Sequence, residues 1–415
     1  MALTTIIFLI IILTGTVLLL WLSLRQSRHV AQHRDAVPAD FAQVIDLPTH
    51  QHAAAYSNAK SRLERVDLVV GLIVTLGWTL GGGIEALAQW GTTLGLSPLW
   101  TGVCVFLGFL LISTVIGIPL SLYRTFVTEV RFGFNKTTPR IFLTDLLTST
   151  ALTIVIGGPI VAVFLWVMGA MGERWWLYGW VLLNLIQLLA IWIYPTYIAP
   201  LFNRFSPLSD PDLVARIEGL LQRTGFASAG LFVMDASKRS GHGNAYFTGI
   251  GPVKRIVFFD TLLTQLSGPQ VEAVLAHELG HDKKHHIPKL VIAMAVLSFV
   301  AFAVLGWLIQ QPWVFAGLGV QTPSTAVALI LAVVCLPACT FMLDPIMAWW
   351  SRRHEFEADA YAVAHTSVDA MAGALVAIYR ENAGTLTPDH LYAAWHYSHP
   401  PASERVAHIR RLAAS

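Results

Sequence analysis

Two histidines and a glutamate lie within one helical turn of each other in the segment AHELGH, residues 276–281. Residues four apart in an α-helix project from the same face, so His277 and His281 can hold one metal ion between them. Neutral imidazole nitrogens at this spacing suit zinc. Glu278 is rotated by about 100° from His277 around the helix axis. The spacing therefore predicts a zinc site in which Glu278 reaches a water molecule without being a ligand.

A catalytic zinc ion needs a third protein ligand and an open position for water. The metzincin arrangement, with Gly at 284 and His at 287, is excluded because these positions hold Lys284 and Ile287. A downstream acidic residue is the other common solution. Glu355 and Asp359 stand four apart in HEFEADAYA, so one could bind zinc while the other orients a ligand histidine. Glu357, on another face of that helix, stays open as the alternative ligand.

The same residues also have an interpretation without chemistry. Histidines can lie at a solvated helix end, and the acidic residues near 355 can be an ordinary cluster of helical charges. We interpret DKKHH, residues 282–286, as a solvated cluster of this kind. AHELGH differs because it lies on a strongly predicted helix, for which Ser267 suits the N-cap and Pro269 the first turn.

The rest of the chain has the composition of a membrane protein. Its 415 residues are 55% hydrophobic and 13% charged, with a mean hydropathy of +0.60. The net charge of +2 gives no reason to expect a nucleic-acid partner. A spanning helix needs about 20 mostly apolar residues. Seven segments meet this requirement, approximately 4–24, 67–90, 98–122, 141–170, 175–201, 290–310 and 324–349.

The distribution of basic residues predicts the orientation in the membrane. Lys and Arg near the ends of spans favour the cytoplasmic side, and of the 27 such residues only Arg174 falls outside a set of alternate loops. The N-terminus is therefore predicted outside, and both large polar segments in the cytoplasm. The first span lacks a basic leading region and a cleavage signal, so we expect an uncleaved anchor.

The polar segments predict one split domain. The runs GLFVMD, NAYFTGIG and RIVFFD are typical of short strands, whereas the last segment is typical of helices. The expected division has residues 1–201 as spans one to five with their loops and 202–289 as an α+β segment that carries HELGH. Residues 290–349 then form spans six and seven, and 350–415 form a helical segment that completes the zinc site.

The chain resembles the CAAX prenyl endopeptidase type I family of integral-membrane zinc metalloproteases over essentially its whole length. The resemblance is specific in the order and spacing of six segments: RFGFNKTT, YIAPLFNRFSPL, SKRSGHGNAYF, HELGHDKKHH, SRRHEFEADAYA and YSHPPASERVAHI. It implies a mainly α membrane protein with seven transmembrane helices and a split cytoplasmic zincin-like α+β metalloprotease domain of the gluzincin type. It further implies an enclosed chamber among the seven helices.

The resemblance also implies roles for individual residues. Glu355 would be the third ligand of one zinc ion per chain, and Asp359 would support the ligands from behind. In NAYF, Asn244 and Ala245 look like the family's edge strand, which aligns an extended peptide by main-chain hydrogen bonds. His399 matches a position that binds the substrate and stabilises the oxyanion. Arg405 matches a second position with the same assignment.

Three further residues carry expectations. Position 354 is His, where the family more often has an aromatic or similar residue, and we expect His354 to point away from the helix face that Glu355 uses. Glu85 and Asp344 lie within or near predicted spans and should face protein or water rather than lipid. They are candidates for lining a cavity.

The predicted reaction is hydrolysis of a peptide bond near the cytoplasmic membrane face. CAAX prenyl protease-like cleavage after a prenylated cysteine is favoured, with a peptide or lipidated protein as substrate and the lipid bilayer as partner. A quality-control metalloprotease that acts on unprenylated membrane proteins is one alternative. A metal-binding polytopic transporter is another, disfavoured because transporter ligands would be expected within the spans.

A bacterial inner membrane is favoured over an ER membrane, because RRLAAS at the end of the sequence is not an ER-retrieval signal. The oligomeric state stays open.

Overall fold

The computed structural model describes residues 3–248 and 254–413. Long apolar helices make up the first half of the chain, and short π-helical turns at 124–128, 153–157 and 194–198 interrupt three of them. The helices of this half are α1 (Leu3–Gln32), α2 (Leu47–Trp78), α3 (Gly83–Thr92), α4 (Pro98–Tyr123), α5 (Glu129–Arg131), α6 (Pro139–Leu152), α7 (Gly158–Ala170), α8 (Trp175–Ile193) and α9 (Ala199–Phe202).

Among the described residues, six helical segments are long and apolar enough to cross a membrane, and a seventh is obtained if the bent pair α2 and α3 counts as one span. The helix axis bends by 44° between the two helices of this pair. Gly82 at the break has a φ of 79°, which glycine adopts without the steric cost of a Cβ atom. The membrane architecture predicted from composition is thereby confirmed. The six segments are Leu3–Gln32, Pro98–Arg131, Pro139–Ala170, Gly172–Phe202, His286–Leu308 and Thr325–His365.

Helix α2 begins well before the predicted span. Its N-cap is Asp46, whose side chain accepts a hydrogen bond from the backbone N–H of Thr49, and Pro48 occupies the first turn. These are strong start signals, so the polar residues ahead of the apolar run join the same helix. Helix α2 packs against α1 and also contacts the helix Val368–Glu381, so it connects the membrane helices to the C-terminal part of the chain.

Within the described residues, a four-stranded sheet opens the second half of the chain. It consists of β1 (Phe205–Pro207), β2 (Leu231–Met234), β3 (Ala245–Thr248) and β4 (Arg255–Phe259), in the order β1-β2-β4-β3. β2 and β4 are parallel, and the other two pairs are antiparallel. Strand β3 lies at one edge. The three predicted runs are β2, β3 and β4, although the end of NAYFTGIG lies outside the described residues. β1 is too short to show an alternating pattern.

The remaining helices surround this sheet or return to the membrane. The helix Gly268–Lys283 starts with a capping box formed by Ser267 and Gln270, as its sequence predicts. The bounds are α10 (Pro211–Thr224), α11 (Asp260–Gln265), α12 (Gly268–Lys283), α13 (His286–Leu308), α14 (Pro312–Gly317), α15 (Thr325–Thr340), α16 (Asp344–His365), α17 (Val368–Glu381), α18 (His390–His396) and α19 (Ala402–Leu412).

Helices α12 and α16, which carry AHELGH and HEFEADAYA, pack closely against each other. A Cβ atom added at Gly280 would lie 2.9 Å from Ala358 Cα and 3.0 Å from Tyr361 Cβ, so the glycine allows the two backbones to approach closely. Leu279 beside it is fully buried. Because α16 runs unbroken through the expected division at 349/350, it carries Glu355 directly from the last membrane segment to α12.

Candidate active site

The three residues predicted as zinc ligands converge where α12 meets α16. His277 Nε2 lies 3.2 Å from His281 Nε2 and 3.5 Å from Glu355 Oε2. His281 Nε2 lies 3.2 Å from Glu355 Oε1. One ligand atom from each residue falls within 4.8 Å of the other two. Two side chains one turn apart on α12 and one from α16 therefore form a single cluster of metal-binding type.

The hydrogen bonds around His277 show that this cluster fits a cation. Its Nδ1 lies 2.8 Å from a carboxylate oxygen of Asp359, which can only accept, so Nδ1 donates and, in the neutral ring that binds a metal, Nε2 carries the lone pair. That lone pair faces His281 Nε2 and the Glu355 carboxylate, which also offer electron pairs. His277 and Glu355 are only 6% and 3% exposed. Buried electron-pair donors facing one another are unfavourable without a cation, and zinc takes these nitrogen and oxygen ligands.

Arg405 lies behind the cluster and holds Asp359. Its Nε and Nη2 lie 2.9 Å and 2.5 Å from the two Asp359 oxygens, a bidentate pair that is almost completely buried. Its Nη1 lies 3.3 Å from Glu355 Oε2. The guanidinium is always charged, so it keeps Asp359 ionised and able to orient His277. The structure thus places Arg405 beside the three converging residues, with its shortest contacts to Asp359.

A cleft of about 480 Å³ opens on one side of the cluster. Glu278 borders it, is half-buried, and makes no ion pair with any residue of the described ranges. Burial raises the pKa of Glu278 above that of an exposed glutamate. A carboxylate with these properties can take up and release a proton beside the cluster.

Other predicted site residues line the same cleft. They are Asn244, Ala245, His399 and Arg405. His399 is exposed over 61% of its side chain, and its Nδ1 lies 2.7 Å from Glu355 Oε2. Within the described residues β3 pairs with β4 alone, so the N–H and C=O groups on its other side can pair with an extended peptide.

The cleft also contains residues that the sequence did not single out. Asn382, at the end of α17, accepts a hydrogen bond of 3.1 Å from Gly243 N through its Oδ1. The same oxygen lies 3.4 Å from His242 Nδ1. Asn382 therefore ties the segment before β3 to α17. A single asparagine at a helix end has no sequence pattern that would have revealed this contact.

The interpretation of DKKHH as a solvated cluster is wrong for its last residue. His285 has a φ of 57°, so the chain turns there and α13 begins at His286. His286 is only 4% exposed: its Nδ1 lies 3.0 Å from His281 Nδ1 and its Nε2 3.1 Å from Glu357 Oε2. His354 stacks on the His286 ring with centroids 4.0 Å apart. The two lysines and His285 are exposed, as expected.

The two ionisable residues expected to avoid lipid have different surroundings. Glu85 accepts hydrogen bonds from the backbone N–H groups of Gln321 and Thr322 and from the Thr322 hydroxyl, so it joins α3 to the segment before α15. Asp344 lines a hollow of about 470 Å³ that His281 also borders. Glu85 thus has a contact within the protein, and Asp344 lies beside a cavity.

Known families match both halves of the chain. A family described as CAAX prenyl protease N-terminal, five membrane helices, matches residues 26–204, and Peptidase family M48 matches residues 207–413. The CAAX prenyl protease 1 homolog of Arabidopsis thaliana is 34% identical over 94% of this chain and 93% of its own length. CAAX prenyl protease 1 of Saccharomyces cerevisiae is 37% identical over 72% of this chain and 70% of its own length.

A solved structure shares the complete fold. The crystal structure of S. mikatae Ste24p superposes with a TM-score of 0.91 at 31% identity and covers 99% of both chains. The family resemblance and the fold class predicted from the sequence are therefore confirmed, as are the metalloendopeptidase activity and its zinc cofactor. These matches are to peptidases, which removes the transporter alternative. The chain belongs to peptidase family M48 and is a zinc-dependent membrane metalloendopeptidase of the CAAX prenyl protease type.

Proposed function

We propose that His277, His281 and Glu355 hold the zinc ion and that Glu278 is the general base. When bound, zinc supplies a Lewis acid that lowers the pKa of water and polarises a carbonyl group. Glu278 accepts the proton of the attacking water and delivers it to the leaving amine. The observation that carries this proposal is the convergence of the three ligand atoms beside Glu278 at one cleft.

The other cleft residues bind and polarise the substrate. Asn244 and Ala245 align an extended peptide along β3 through main-chain hydrogen bonds. His399 points an exposed ring into the cleft, where Nε2, the nitrogen that does not face Glu355, donates to the carbonyl oxygen of the scissile bond. Arg405 adds positive charge from behind Glu355 and stabilises the developing oxyanion, while its bidentate pair with Asp359 keeps His277 oriented.

The substrate class follows from the relatives and from the position of the site. The Arabidopsis and yeast relatives are named CAAX prenyl proteases. In this chain, α13 and α16 belong to candidate membrane spans and also border the zinc cluster. A lipid-anchored substrate can therefore reach the cleft while its lipid stays near the bilayer. We propose that this protein cleaves its substrate after a prenylated cysteine.

Cleavage of matched peptides tests this assignment. Full-length protein in detergent is given one CAAX-type peptide with and without a farnesyl group on its cysteine. We expect cleavage after the cysteine and a kcat/KM at least about tenfold higher for the farnesylated peptide, because burying only two CH₂ groups already contributes roughly 1.6 kcal/mol. A zinc chelator should stop both reactions.

The same experiment distinguishes the alternative function. Equal kcat/KM values for the two peptides would support a quality-control protease that acts on unprenylated chains. No chelator-sensitive cleavage of either peptide would contradict the proposal.

We also propose that residues 202–289 and 350–415 form one split catalytic domain, while 1–201 and 290–349 form the membrane part. Buried side chains from both catalytic segments share one core, which includes Ile217, Leu279, Met371 and Val406. This domain faces the cytoplasm, and the N-terminus lies outside, because nearly all Lys and Arg are on the catalytic side. A bacterial inner membrane remains the predicted location, with the ER membrane as the alternative.

Thiol labelling of intact cells tests this orientation. A single cysteine is introduced by Glu173→Cys or by Asp212→Cys after the three native cysteines are replaced by alanine. Both positions are exposed acidic residues, one between α7 and α8 and one in α10. A membrane-impermeant maleimide should label only Glu173→Cys until the cells are opened. The reverse pattern would invert the topology.

A further inference from the structure

The two zinc-binding histidines receive different support on the ring nitrogen that faces away from the cluster. His277 Nδ1 meets the carboxylate of Asp359 directly at 2.8 Å. His281 Nδ1 instead meets another imidazole, His286 Nδ1, at 3.0 Å. His286 Nε2 then lies 3.1 Å from Glu357 Oε2. His281 is thus joined to a carboxylate through an intervening histidine.

The protons in this chain of contacts can be placed by elimination. The Glu357 carboxylate is half-exposed to solvent and is ionised, so it only accepts, and His286 Nε2 must donate. A neutral His286 then has a lone pair on Nδ1 and accepts from His281 Nδ1. His281 consequently keeps its lone pair on Nε2, the atom that faces His277 and Glu355.

Packing restricts the His286 ring to this orientation. His354 stacks on it at an interplanar angle of 9°, and His286 is almost completely buried at the start of α13. His354 and Glu357 both belong to α16, the helix that supplies Glu355. The contacts therefore link the turn after α12 to the helix that completes the cluster.

We propose that His286 and Glu357 are positioning residues that fix the tautomer and the ring orientation of His281 and thereby set the zinc affinity. This inference rests on the ligand set assigned under the proposed function. A supporting hydrogen-bond partner of this kind is worth about 10- to 100-fold in metal affinity or activity. The stacking partner His354 holds the intervening ring in place.

Competition with a chromophoric zinc chelator tests the inference on the purified full-length protein, without any substrate. His286→Ala should weaken zinc binding by about 10- to 100-fold. His286→Asn should recover most of the affinity, because its amide oxygen provides an acceptor near the position of Nδ1. Glu357→Ala should also weaken binding, whereas Glu357→Gln, which retains an acceptor for His286 Nε2, should stay close to wild type.

His285→Asn is the matched control, since it changes the exposed neighbouring histidine and asparagine tolerates the positive φ there. Its zinc affinity should equal that of wild type. At saturating zinc, His286→Ala should still bind about one zinc ion per chain, which separates a loss of affinity from a loss of fold. If His286→Ala does not fold, the Glu357 pair tests the same contacts at a half-exposed position.

Two results would overturn the inference. One is wild-type zinc affinity in His286→Ala and Glu357→Ala, and the other is equally weak binding in the alanine variants and their conservative partners. A wild-type protein without zinc would overturn the ligand assignment as well. A wild-type protein that holds zinc but cleaves neither peptide would refute only the assigned substrate.

Discussion

Glu278→Gln should keep about one zinc ion per chain and lose cleavage by about 10²- to 10⁴-fold. Glutamine has nearly the same shape but cannot accept the proton of the attacking water. The zinc content should not change, because Glu278 borders the cleft and is not one of the three converging residues. Metal analysis of the purified protein measures the zinc content, and kcat for the farnesylated peptide measures the loss of cleavage.

Glu272→Gln on the same helix is the matched control. Glu272 forms ion pairs with Arg216 and Arg223 of α10 and does not border the cleft, so its variant should still cleave the peptide. Cleavage at the wild-type rate by Glu278→Gln would show that another group removes the proton. Loss of zinc from that variant would show instead that Glu278 helps to hold the metal.

Glu355→Ala should produce the second large effect, a loss of zinc. Only two histidines would remain at the cluster, and a site of this kind needs three protein ligands. We expect the affinity to fall by more than the roughly 100-fold that a supporting residue can account for, with cleavage lost in parallel. Zinc content after removal of free metal, with and without added zinc during purification, measures this loss.

Glu357→Ala is the control for this experiment, two residues further along α16. Its carboxylate contacts His286 and lies outside the converging group, so the variant should still hold about one zinc per chain when zinc is in excess. Zinc that persists in Glu355→Ala but disappears from Glu357→Ala would reassign the third ligand to Glu357.

Features that depend on neighbours along the chain could be predicted from the sequence. Helical periodicity places His277 and His281 on one face, and the Ser267 capping signal marks the start of their helix. Apolar length indicates the spans, although it gives 67 as the start of the second, where Asp46 starts the helix much earlier. Three of the four strands have recognisable patterns, whereas β1 is too short to have one.

Other features depend on contacts between distant segments and could not be predicted. His286 looks like part of a charged, solvated run, yet the turn at His285 buries it against α16. Arg405 matches an oxyanion position by resemblance, but its firmest contacts are with Asp359. Asn382 belongs to no sequence pattern that would mark it as a residue of the cleft.

The sequence by itself determined that this protein is a membrane-spanning metalloprotease of a known family. Span length, helical spacing and the order of the motifs depend only on the order of residues along the chain. Spacing left two acidic residues of α16 open as the third ligand, and the resemblance favoured Glu355; only the tertiary structure shows that Glu355 faces the two histidines while Glu357 turns to His286. That choice depends on how closely α12 and α16 approach at Gly280 and on their relative rotation. Both are set by packing between segments far apart in sequence, on which local periodicity has no bearing.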